Sequence, residues 1–449
     1  SYIGSGLGNT GTVVMSGGTL NVGLVATPGV RADFEVGSFN GSGTMTQTGG
    51  DVVLNTTGGF FHIGNQGTGV YNLEAGSITT LNAFALGRST AAGVGNGTLN
   101  ISGGSLTLAT PSKSAFLIGG VDGGHSARGG GNGVVNQTGG VVSVAHYMEL
   151  GTRGGHGAYN LDGGVLRIGG AGALRADTNG YDDTGDNVDD VTGTYEFNLG
   201  GGTLQVMGSN LTSAVAMTLK SGTTSTIDTN GLGATFSGAL SGMGALTKVG
   251  DGTLTFSGAS TFSGGTLVSD GTLIVNGSLA NSTVSVGAGA TLGGHGSVAG
   301  VNVLDDGRLE LGGAPGTFTI TGDLTLAGAS RTLLYLAAGS NDHLAVGGTL
   351  FAGGVLEVGL AGDFDLLEGA SFDLFDGTLS RDFTNVLLPT LGSGLEWSLV
   401  DFSSGVILVV TASAIPEPST WTAILGGVVL AIAAWRRRYS QALETRRSE

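Results

Sequence analysis

The chain has no cysteine, so neither disulfides nor thiol chemistry is available and the redox compartment stays open. Lysine is nearly as scarce, with Lys113, Lys220 and Lys248 the only three. At a net charge of −17 there is no cluster of Lys and Arg to displace counterions, and nucleic-acid binding is not expected. Five arginines against Glu444 and Glu449 after Trp435 leave the tail at +3 and the body near −20, uniformly acidic. No G-x-S-x-G elbow, P-loop or H-x-x-x-H spacing occurs, and His125, His146, His156, His295 and His343 are scattered. The opening residues have no basic n-region and no apolar h-region. There is no initiator Met and the chain starts inside a repeat, which reads as a fragment or a processed form.

What is abundant is glycine, 90 residues of 449, without the every-third-residue period of collagen. The apolar fraction is 40% and mean hydropathy is positive, whereas disordered chains are poor in Val, Ile, Leu and Phe. A fold must bury those side chains. Length alone would suggest about three domains.

Internal repetition changes that expectation. GTVVMSGGTLNV (11–22), GTMTQTGGDVVL (43–54), GVYNLEAGSITT (69–80), GTLNISGGSLTL (97–108), GVVNQTGGVVSV (133–144) and GAYNLDGGVLRI (157–168) align, and GTYEFNLGGGTLQV (193–206) is a longer copy. Most are preceded by an apolar–Gly element: YIG at Tyr2, FEVG at Phe34, FHIG at Phe61, FALG at Phe84, FLIG at Phe116 and MELG at Met148. These elements start 32, 27, 23, 32 and 32 residues apart. Each unit holds three short stretches with the apolar–polar alternation of half-buried strands. A Gly-Gly or Ala-Gly pair separates the second from the third, where the chain must turn with positive φ. Strands this short cannot bury a face alone, so the units are expected to stack as coils of a parallel β-helix about 4.8 Å apart. Insertions at 109–115 and 119–133 would loop outward. A sandwich is the blander alternative, and propeller blades need longer repeats.

The second half carries another repeat. ALTKVGDGTLTFSGASTFSGGTLVSDGTLIVNGSL (245–279) closely resembles the autotransporter-associated β-strand repeat, and Lys248 falls in its consensus. Residues 282–300, 311–326 and 341–358 continue like autotransporter passenger regions. The resemblance implies a right-handed parallel β-helix, although no membrane β-barrel follows. SFDLFDG, FTNVLLP and GVILVVTAS, between Ser371 and Ala412, are expected to cap the open end. The expected fold is therefore all-β: a right-handed parallel β-helix (solenoid) with a C-terminal β cap and one C-terminal transmembrane helix. Its regions are 1–210 (Gly-rich coils), 211–365 (autotransporter-associated repeats), 366–413 (cap) and 414–449 (sorting and anchor segment).

The end of the chain differs from everything before it. Residues 421–435, bounded by Trp421 and Trp435, contain no charge. As a helix they would cover about 23 Å, short of the roughly 30 Å hydrocarbon core, but could span with local thinning. Arg436, Arg437 and Arg438 would hold the C-terminus in the cytoplasm and leave the body outside. Pro416, Glu417 and Pro418, the apolar segment and the arginines resemble the PEP-CTERM sorting signal of exopolysaccharide-producing bacteria. The resemblance implies export, recognition by an exosortase-type enzyme, a transient membrane anchor, and transfer to the cell surface or extracellular matrix.

Parallel β-helices include polysaccharide lyases and hydrolases, so carboxylate pairs matter. Glu35 and Glu149 occupy equivalent positions four coils apart, about 19 Å at the inter-strand spacing, which is too far. Glu35 and His62 are expected to be neighbours on successive coils, read as an ordinary surface pair because Ile3, Ala85 and Leu117 hold that position elsewhere. Asp177, Asp182, Asp183, Asp186, Asp189 and Asp190 offer the oxygen ligands that calcium takes, without the spacing of a known calcium loop. No catalytic residues and no cofactor are expected. The leading expectation is a non-catalytic, adhesin-like structural rod with exopolysaccharide as a candidate partner. The alternatives are a secreted polysaccharide lyase or hydrolase on the same fold, and an anchored passenger that keeps its tail.

Overall fold

The computed structural model describes residues 1–23, 32–55, 59–89, 93–120, 130–177, 192–381, 383–402 and 405–413. The described chain is all-β, its strands mostly parallel and stacked coil upon coil as in a β-helix solenoid. The sorting segment, with Pro416, Glu417, Pro418, the apolar stretch and Arg436 to Arg438, lies outside the described residues. No helix among the described residues is long and apolar enough to cross a membrane.

Five of the seven early coils contribute a short strand and a long one. The short strands Tyr2–Ser5, Phe34–Ser38, Phe61–Asn65, Phe84–Arg88, Ala115–Ile118, Tyr147–Leu150 and Leu174–Ala176 form one parallel sheet. The long strands Thr10–Val22, Ser42–Leu54, Thr68–Thr80, Asn132–Val144 and His156–Ile168 are each 13 residues, where two separate short strands were expected. The expected pair does occur on two coils, as Asn96–Ile101 with Ser105–Leu108 and Thr194–Leu199 with Thr203–Val206. On the 13-residue strands the glycine pair interrupts the register without ending the strand, as at Gly49–Gly50 between Thr48 and Asp51. The second glycine takes positive φ, +79° at Gly50 and +63° at Gly140, and bends the ladder around the coil corner.

Glycine in the apolar–Gly element has a second cause. Gly87 has φ +74°, and a Cβ there would stand 2.3 Å from the carbonyl oxygen of Asn132 on the next coil. Only a residue without a side chain lets successive coils close.

Inward positions stack like on like. Phe34, Phe61, Phe84 and Phe116 lie in register, with centroids 4.8, 4.3 and 5.5 Å apart, and the file continues through Tyr159 and Phe197. Burying each such side chain is worth about 2 kcal/mol, so every coil is stabilised mainly by its two neighbours.

Past Leu174–Ala176 the short-strand sheet ends, and a second parallel sheet begins at Leu211–Ser213 and runs to Asn385–Leu387. This corrects the reading of FTNVLLP as cap: Asn385–Leu387 pairs parallel with Val355–Leu360 and belongs to the stacked ladder. Apart from a short antiparallel hairpin of Arg331–Ala337 with Ser340–Asn341, antiparallel pairing enters with Ser371–Arg381, which lies parallel to His343–Phe351 and antiparallel to Gly405–Ala412. Gly405–Ala412 pairs in turn with Leu395–Phe402, a strand the sequence reading missed. Trp397 explains why that strand holds: its ring meets Phe372 at 6.3 Å and its indole N–H donates to the Pro389 carbonyl at 2.8 Å.

Candidate functional site

The lateral surface of the early coils carries a file of amides. Asn72, Asn136 and Asn160 on long strands, with Asn100 on Asn96–Ile101 and Asn198 on Thr194–Leu199, are in register and half-buried on the outward side. Each Nδ2 donates to the preceding coil, from Asn198 to Asn160 at 3.0 Å, then at 2.9, 2.9 and 2.8 Å down to Asn72, which donates to Thr46 Oγ1 at 3.2 Å. Asn132 and Asn96 make a parallel step at 2.8 Å. These chains occupy hydrogen bonds that water would otherwise take, and present a regular polar face along the shaft.

Glu35 and His62 are cross-coil partners as expected, but each is only 3% exposed, which corrects their reading as a surface pair. The short strands Phe34–Ser38 and Phe61–Asn65 are buried on both sides, so outward-pointing side chains there are covered too. The equivalent residue on the first coil is Tyr2, while Ile3 pairs with Val36. Burial raises the Glu35 carboxyl above its ordinary range and Asp33 adds to this, against the nearby polar side chains of Asn65 and Ser38 and the charge of Arg88. The register from Glu35 through His62, Ala85 and Leu117 to Glu149 places four coil steps between the two glutamates. Glu149 is engaged by Arg175, whose Nε donates to Oε2 at 2.7 Å.

Lys248 fills a core position between Ile227 and Val268 and is fully buried. Its ammonium donates to the carbonyls of Gly250 at 2.7 Å, Asp270 at 2.9 Å and Val249 at 3.3 Å, and to Thr229 Oγ1 at 3.2 Å. One cation thus ties the corners of three successive coils. Burial lowers its pKa to about 8, opposed by the charges of Asp270, Asp228 and Asp251.

Farther along, a groove of about 230 Å³ is lined by Arg308, Glu310, Arg331 and Glu357 with Leu309 and Leu333. Arg308 and Arg331 are in register on adjacent coils, and Arg331 is ion-paired with Glu357. Of the aspartates proposed for calcium, Asp177 is described and follows strand Leu174–Ala176, while Asp182, Asp183, Asp186, Asp189 and Asp190 lie outside the described residues. His343, Asp373 and Asp376 come together with their ligand atoms within 4.8 Å of one another, a cluster that no spacing in the sequence announces.

Residues 246–275, which hold the Lys248 clip, match the passenger-associated-transport-repeat family, and residues 414–438 match the PEP-CTERM protein-sorting motif. The chain carries both signatures. It carries an autotransporter-associated repeat and a PEP-CTERM signal. No curated protein matches it. The tail match supports export to the cell envelope or surface and implies processing by an exosortase-type sorting system.

Proposed function

We propose that the chain is a non-catalytic structural rod with an adhesin-like role, displayed at the cell surface or in the extracellular matrix. The observation that carries this is the registered stacking of coils between Tyr2 and Leu387, in which the inward side chains of successive coils form one continuous apolar core. The coils wind right-handed, the antiparallel strands after Ser371 close the open end, and residues 421–435 anchor the chain transiently with a cytoplasmic C-terminus. The amide file offers hydrogen bonds suited to exopolysaccharide.

The test is to express the full-length gene in its host beside a version ending at Ser413. The full chain is expected at the surface or in the matrix, and the shortened one is expected to be misplaced. Equal placement of the two would remove the sorting role.

One observation favours a second reading, a secreted polysaccharide lyase or hydrolase. Glu310 and Glu357 share a groove with two arginines and lie two coils apart, about 9.6 Å, near the upper limit for an inverting carboxylate pair. Against it, Glu357 is held by Arg331. Incubating the full chain with polygalacturonate and alginate separates the readings, since release of unsaturated or reducing ends would displace the structural one.

A further inference from the structure

We propose that His343, Asp373 and Asp376 bind one divalent transition-metal ion, zinc before others, where the last parallel coils meet the antiparallel strands. The placement begins with an irregular strand. Along Ser371–Arg381 burial alternates until Leu374 and Phe375, two successive residues that are both fully buried. The pairing with Gly405–Ala412 shifts at the same point, between Asp373 and Phe375. In a regular strand, residues three apart face opposite sides; this bulge turns Asp373 and Asp376 to the same exposed side.

His343 opens the neighbouring strand His343–Phe351, whose Leu344 and Ala345 are in register with Phe375 and Asp376. Asn341 Nδ2 donates to the Asp373 carbonyl at 2.5 Å and fixes the two segments together. The imidazole is thereby set beside both carboxylates. Its Nε2 is buried, makes no hydrogen bond, and lies 3.5 Å from Asp376 Oδ2.

That distance is long for a charge-assisted hydrogen bond, which runs at about 2.7–2.9 Å. It suits two ligands of one ion: donors about 2.1 Å from a tetrahedral zinc stand about 3.4 Å apart. The donor set points the same way. One imidazole nitrogen with two carboxylates suits zinc, manganese or iron, whereas calcium and magnesium take all-oxygen sites. Three protein ligands leave a fourth position for water. An ion here would pin the start of one strand to the strand on which pairing changes from parallel to antiparallel, and so lock the end of the stack.

The test uses the full chain, stripped with EDTA, dialysed, and titrated with zinc chloride by calorimetry, with the thermal midpoint followed by circular dichroism. Wild type is expected to take up one equivalent of zinc and melt higher, with no competition from equimolar Mg²⁺. His343→Gln and Asp376→Asn are each expected to weaken zinc binding at least tenfold. His156→Gln, at a histidine that contacts Thr194 elsewhere on the shaft, is expected to leave it unchanged. Asp376 is 55% exposed, so its substitution decides the matter should His343→Gln fail to fold. No zinc uptake by wild type, or uptake that survives Asp376→Asn undiminished, overturns the site.

Discussion

The phenol of Tyr71 donates to Oε1 of Gln47, 2.6 Å away on the preceding coil. Gln47 is fully buried, and its Nε2 donates to the carbonyls of Gly50 at 2.8 Å and Ser77 at 3.0 Å. The arrangement recurs with Tyr159 and Gln137 at 2.5 Å, where the amide reaches Gly140 and Val165. Burial raises both phenol pKa values, so both stay protonated donors. A polar group in the core is thus satisfied across coils and holds the glycine corner in shape.

Tyr71→Phe leaves Oε1 of Gln47 buried without a donor and is expected to cost about 1–3 kcal/mol. Urea melts of Tyr71→Phe, Gln47→Leu and the double variant check it. The double variant should lose less than the two single losses added together, and simple additivity would argue against the pairing.

Lys248 gives a pH signature. Its folded pKa, about 8, lies below the ordinary 10.5, so between those values the unfolded chain binds more protons than the folded one. Wild-type stability should therefore rise relative to Lys248→Met as pH increases from 8 to 10.5, by up to ~3 kcal/mol. Denaturant midpoints of the two proteins at pH 7.5 and 10 measure the difference. A gap that does not change with pH would contradict the assignment.

Glu35 runs the other way. Burial raises its folded pKa above the ordinary 4.5, so its contribution to stability is present below that value and is lost as pH rises through the folded pKa. Glu35→Gln is expected to match wild type at pH 4 and to exceed it at pH 7, read from thermal midpoints. Lower stability than wild type at pH 7 would mean that the charged form is well satisfied.

Two glycines of similar φ separate strain from collision. Gly87→Ala drives a Cβ into the Asn132 carbonyl and should disrupt coil stacking outright. Gly222→Ala, at φ +76° with open space around it, should cost only the left-handed backbone penalty of about 1–2 kcal/mol. Equal losses in expression and melting temperature would mean that close approach is not what selects glycine at position 87.

The coils were legible because they depend on local signals: alternation, the glycine pair, and the apolar–Gly element that recurs ahead of each long strand. The Gln47–Tyr71 pair was not, although Q-T-G-G followed one coil later by Tyr occurs twice, because the partners are 24 and 22 residues apart and look like substitutions within a repeat. The depth of Glu35 escaped since alternation assigns it outward, and whether an outward face is covered is a tertiary fact. Asp373 and Asp376 read as opposite faces until the bulge at Leu374 and Phe375 turns them together. FTNVLLP and LEWSLVDF look alike as strands, and only pairing assigns the first to the stack and the second to the antiparallel sheet.

Because glycines such as Gly37, Gly64 and Gly87 face a backbone carbonyl of the next coil and the rings from Phe34 to Phe116 stack on one another, an early coil meets its neighbour through a surface it also presents on its far side. Gene segments encoding one coil can therefore be copied or dropped in frame without devising a new interior. The molecule's reach can thus change by whole coils without redesign of the core.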